Sequence, residues 1–180
     1  MPRPENATQR INTEGPFDGT GLRFIPVAHN GNQSESPEEA NTVGNIVEGL
    51  LRNGTTWTNK KSETAPLSLN DILVVAPYNA QVSALAQRLP AGARIGTVDK
   101  FQGQEAPVVI YSMATSTPED APRGMEFLYS SNRLNVATSR AQCLTVLVAS
   151  QALFEVQCKT PRQIELANAF CRYLEMATVA

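Results

Sequence analysis

Three short clusters in this 180-residue chain carry side chains suited to handling a phosphorylated ligand. In TVDKFQGQE (97–105) Gly103 sits between two amides, Gln102 and Gln104, with Glu105 beside them. A residue without a Cβ lets the backbone approach a bound group closely, and the amides and carboxylate offer donors and acceptors. The same residues would equally serve a solvated turn between two strands. In NRLNVATSRA (132–141) Arg133 and Arg140 stand seven residues apart, which on a helix is two turns and one face. Two planar guanidinium groups so placed would address one anion; the alternative is that Arg140 closes its helix and complements the dipole. The third cluster, PYNAQ (77–81), sets Tyr78 directly after an apolar run. Its ring would stand at the edge of a crevice and stack on a base, or serve as a core or rim tyrosine.

Such clusters need elements to hold them, and the hydrophobic pattern supplies strands and helices in alternation. LRFIPVA (22–28), ILVVAP (72–77), RIGTV (94–98), PVVIYSMA (107–114) and LTVLVAS (144–150) read as strands; β-branched runs of this length suit a parallel sheet buried on both faces. Pro107 fits only a strand's beginning. Ser36-Pro37-Glu38-Glu39 reads as a capping box opening a helix, with Val43, Ile46, Val47, Leu50 and Leu51 on one face. Further helices are expected over 79–89, 132–141 and 162–176. Residues 53–70 and 115–130 read as polar surface connections, and residues 1–20 as a linker or irregular lead-in, so the folded domain is assigned to 21–178. The expected architecture is α/β, a mostly parallel sheet with helices on both faces. In such sheets ligands bind beyond the carboxyl ends of the strands, and the three clusters all adjoin central strands.

Composition narrows the function. The chain is 42% hydrophobic, and no apolar run approaches the roughly 20 residues a membrane helix needs. With no apolar N-terminal stretch to act as a secretory signal, a cytoplasmic setting is expected. Cys143, Cys158 and Cys171 are odd in number and lack a CxxC pair, which argues against a disulfide framework and a zinc site. His29, the one histidine, cannot build a metal cage alone. A net charge of −2 gives no basic footprint for a free-standing nucleic-acid binder. There is no GxxxxGK[ST], and no glycine-rich turn opens a helix in the dinucleotide-binding manner.

Taken together, VVAPYNAQ (74–81), GTVDKFQGQEAPVVIYSMA (96–114) and NRLNVATSRA (132–141) resemble helicase motifs IV, V and VI in order and separation. The nearest likeness is to superfamily 1B helicases of the nonsense-mediated-decay and AAA_12 type, over about residues 21–176. The resemblance implies a second RecA-like domain of the P-loop NTPase fold, lacking its own Walker A sequence. It implies an ATP site completed by a first RecA-like domain of the same parent protein, which would hold most of the ATP and Mg²⁺. Tyr78 would stack on adenine, Gln81 brace that loop, and Glu105 bind the ribose or its surroundings. Arg140 would be the arginine finger, neutralising charge that develops on the γ-phosphate. Gln102 and Gly103 would couple nucleotide state to strand grip, while Thr97 and Lys100 would face single-stranded DNA or RNA. Asn79 stands where many relatives have an arginine, leaving Arg133 as the second phosphate ligand. The isolated chain is expected to be inactive. Two rival readings are a non-catalytic nucleic-acid or protein-binding module of the same fold, and a different Rossmann-like enzyme such as a methyltransferase.

Overall fold

The structure, a computed structural model, describes residues 8–52, 54–101 and 103–180, without the side chains of residues 131, 132, 136 and 137. Six of its strands form one parallel sheet: β2 (Gly21–Pro26), β5 (Ile72–Ala76), β6 (Arg94–Thr97), β7 (Ala106–Ser112), β8 (Ala141–Ala149) and β9 (Thr178–Val179), in the order β6-β5-β7-β8-β2-β9. Every residue of β5 and β7 is buried, as expected for apolar strands covered on both faces. The chain steps outward from β5 to β6, then returns past β5 to β7, so the direction of winding reverses between β5 and β7. Helices α1 (Pro37–Arg52) and α2 (Asn79–Arg88) pack on one face over Ile72, Val74, Ile110 and Val146. Helices α3 (Gly124–Leu128), α4 (Ser131–Arg140) and α5 (Pro161–Met176) cover the other, over Leu73, Val109, Tyr111 and Leu147. This is the α/β architecture expected of a RecA-like domain.

Two segments read as irregular are structured. Arg10–Asn12 form β1, which pairs antiparallel with β3 (Thr56–Thr58); β3 in turn pairs with β4 (Thr64–Pro66). Ile11 of β1 is fully buried against α1 and Leu144. Arg23 fastens the lead-in by donating to the carbonyls of Pro16 and Asp18 at 2.6 and 2.7 Å. The five-residue tip 59–63 between β3 and β4 is locked by Asn59, whose Oδ1 accepts from the amides of Lys61 and Glu63. Three-residue strands carry too little periodicity to be read in a polar sequence; only pairing makes them visible.

The start of α1 departs from a full capping box. Ser36 Oγ accepts from the Glu39 amide at 3.1 Å as expected, but the Ser36 amide is taken by Gln81 Oε1 at 2.7 Å. Freed from that duty, the Glu39 carboxylate turns into the protein. There it accepts from Ser112 Oγ at 2.6 Å and the Ala114 amide at 2.9 Å, and lies 2.9 Å from His29 Nε2.

Candidate functional site

The ends of the 97–105 and 132–141 clusters meet at the amino edge of the sheet. Glu105 immediately precedes β7 and Arg140 immediately precedes β8, and the residues that follow them, Ala106 and Ala141, are paired in register. Both side chains line one cavity of about 910 Å³, with Gln142, Trp57, Lys60 and Lys61 on its walls. Gln142 Nε2 donates to Glu105 Oε2 at 3.3 Å. Arg140 Nε is buried without a hydrogen-bond partner, and among the described residues no carboxylate pairs with this guanidinium. A buried cationic donor left unsatisfied is costly unless a ligand completes it. Helix α4 delivers Arg140 by running along the sheet face from the carboxyl edge to the amino edge.

Arg133, expected to share an anion with Arg140, is engaged at the other end of that helix. Its guanidinium stacks 4.1 Å from the Phe127 ring centre and lies 4.0 Å from Asp99 Oδ2. Arg123 covers Phe127 at 3.9 Å, so the ring carries two guanidinium groups. The seven-residue spacing does place both arginines on one helix, but two turns amount to roughly 10 Å of axial rise.

The residues of the 77–81 cluster also lie at the carboxyl edge. Tyr78 is 7% exposed, its ring 5.5 Å from that of Phe127, so it does not stand open at a crevice rim. Burial raises its pKa, opposed by Thr115 and the charges of Arg123 and Arg133. Val75 of β5, three residues before Tyr78, is level with Tyr111, five residues above Ala106, so Tyr78 and Arg140 are separated by roughly 25 Å of sheet at about 3.3 Å per residue. The structure therefore does not bring Tyr78 to the cavity of Arg140 and Glu105, and a base held there is beyond its reach.

Gln81 is fully buried and clamps α1 to β7, its Nε2 donating to Ser112 Oγ at 2.8 Å while Oε1 receives the Ser36 amide. His29 Nδ1 lies 2.7 Å from Ser116 Oγ, completing a buried polar network with Glu39 at the carboxyl ends of β2, β5 and β7.

Thr97 ends β6 at the same edge, and Lys100 follows in a 3-10 turn. Lys100 Nζ donates back to the Ile95 carbonyl at 2.8 Å, its stem lying so close over Gly96 that a Cβ there would come within 2.4 Å of Lys100 Cδ. Gly103 adopts a left-handed backbone, φ +79°, which explains a glycine between two amides. Gln102 lies outside the described residues. Of the thiols, Cys143 is buried, which pushes its pKa up to about 11.

Sequence reasoning missed the hairpin residues Trp57, Lys60 and Lys61 and the Arg123–Phe127 pair. Residues 53–70 and 115–130 offered only polar composition, and nothing in their spacing revealed what they face. Among the described residues no group of three or more His, Cys, Asp or Glu side chains is placed to hold a metal ion. The cavity's donors instead fit an anion. No helix among the described residues is long and apolar enough to cross a membrane.

Residues 19–152 match the AAA_12 family, an AAA domain. The chain is 36% identical over 119 residues to the uncharacterised ATP-dependent helicase C05C10.2 of Caenorhabditis elegans, covering 66% of this chain and 7% of that protein. It is 30% identical over 136 residues to the DNA replication ATP-dependent helicase/nuclease JHS1 of Arabidopsis thaliana, covering 75% and 9%. With the RNA helicase Mov10l1 of Mus musculus it shares 32% identity over 97 residues, covering 50% and 8%. The chain thus spans less than a tenth of each of these relatives.

Proposed function

The chain belongs to the AAA_12 family, whose RecA-like α/β fold it has, and from that premise we propose that it is the second motor domain of an ATP-dependent DNA or RNA helicase. Its part is to supply an arginine finger to a composite ATP site, most of which, with the Mg²⁺, is held by a first RecA-like domain. The observation that carries this reading is the unpartnered, buried Nε of Arg140 in the cavity it shares with Glu105.

In the closed state the Arg140 guanidinium meets the terminal phosphate of the nucleotide and takes up charge that grows as water attacks. Glu105, steadied by Gln142, accepts from the ribose hydroxyls. Contacts made only when the cleft is shut are what allow a nucleotide to shift the domain equilibrium. The nucleotide's own chemistry is supplied with the metal by the partner domain. Thr97 and Lys100 belong to the carboxyl edge, where the single strand would run. Tyr78, Gln81 and Arg133 hold that edge together in this reading, and Gly103 gives the connecting loop its turn.

Arg140→Ala in the parent protein tests the finger: hydrolysis should fall about 10³-fold or more while ATP binding is largely kept. Turnover at the unsubstituted rate would remove the reading. The isolated chain should show negligible ATPase activity.

A further inference from the structure

We propose that the β3–β4 hairpin is an added wall of the nucleotide site, with Lys60 and Lys61 contacting the polyphosphate of the nucleoside triphosphate. The inference rests on the reading of Arg140 and Glu105 above and extends it to residues outside the three motifs. Lys60, Lys61 and Trp57 line the same 910 Å³ cavity as Arg140 and Glu105. Three cations there face two carboxylates, Glu63 and Glu105, in a chain whose net charge is −2. One of those carboxylates is already occupied, since Asn59 Nδ2 donates to Glu63 Oε2 at 2.8 Å. The cavity is thus a locally positive recess, which concentrates an anionic ligand.

The hairpin is also built to hold its shape. Asn59 accepts from two amides of the tip, the Asn59 amide donates to the Glu63 carbonyl at 2.9 Å, and Ser62 takes a left-handed φ of +63°. Such a conformation in a non-glycine residue is sustained only where its surroundings over-determine it. A fixed backbone lets two flexible lysine stems reach a phosphate with less ordering cost than a free loop would incur. Trp57, the single tryptophan of the chain, stands on the cavity wall and makes occupancy directly readable.

The full 180-residue chain is titrated with MgATP, inorganic tripolyphosphate and a single-stranded oligonucleotide while Trp57 emission is followed, alongside the Lys60→Ala/Lys61→Ala and Arg140→Ala variants. Both MgATP and tripolyphosphate are expected to change the emission saturably. The double lysine variant, with an unaltered melting temperature, should bind both about five-fold more weakly. Unchanged affinity in the lysine variant overturns the inference and leaves the finger, which is read by hydrolysis, intact. Weakening in the lysine variant upholds the hairpin site whatever Arg140→Ala does to binding, because the finger itself is tested by hydrolysis in the parent protein. No saturable change at millimolar polyphosphate, or a lysine effect confined to the oligonucleotide, overturns the inference.

Discussion

Glu39 illustrates how one side chain can be diverted from a local task to a global one. In sequence it completes a capping box, yet its carboxylate is fully buried and receives Ser112, the Ala114 amide and His29. Ala114, held there, adopts a φ of +68° that alanine rarely takes. Removing the carboxylate strands several buried donors at once and releases that strain. Glu39→Ala should therefore cost about 3 kcal/mol or more of folding stability, read as a lower urea midpoint at unchanged slope. A loss below about 1 kcal/mol would mean that water replaces the carboxylate. The role was invisible beforehand because Ser36-Pro37-Glu38-Glu39 is satisfied locally as a helix start, and two of its partners, Ser112 and Ala114, lie more than 70 residues away.

Among the elements, the long apolar strands and the two 16-residue helices α1 and α5 were legible because each repeats its pattern over several turns or pleats. Helix α3 was not: five residues, GMEFL, do not establish a period. Its contribution comes from Phe127, which fills the space between Arg123, Arg133 and Tyr78. Phe127→Ala should lower stability by roughly 1–3 kcal/mol through lost packing and cation–π contact, measured by thermal melting. It should also leave Arg133 free to move. The same lesson governs the site. Arg133 and Arg140 were correctly placed on one helix, but spacing along a helix says which side a residue faces and not which edge of the sheet it reaches. Tyr78 and Glu105 each adjoin a central strand; one follows a strand and the other precedes one, and that difference separates them by the height of the sheet.

For the whole molecule, charge sets the acid limit. Glu38 is held below its ordinary value of 4.5 by its backbone hydrogen bond at the start of α1, with Asn32 and Ser36 assisting. Glu48 is lowered by the hydrogen bond and charge of Arg88, which ties α1 to α2 at 2.7 Å, and by Arg52. A carboxylate with a depressed folded value stabilises the fold above its unfolded pKa and loses that stability as pH falls through the folded one. The urea midpoint should thus be level down to about pH 5 and decline progressively below about pH 4.5. A midpoint that rises on acidification would show that other groups dominate.

The two edges of the sheet are linked by residues 98–105, and no α-helix lies among those described. Thr97 is level with Ala76, and Ala106 lies about six residues lower on the sheet and two strands across, a gap of roughly 22 Å. Residues 98–101 form a 3-10 turn, and the Gln104 amide then donates to the Phe101 carbonyl at 3.1 Å, with Gly103 left-handed. The connection is thus pinned by its own turns, and on the reading proposed above a shift of the Thr97 end would reach Glu105 through a coiled strut with little free chain in it.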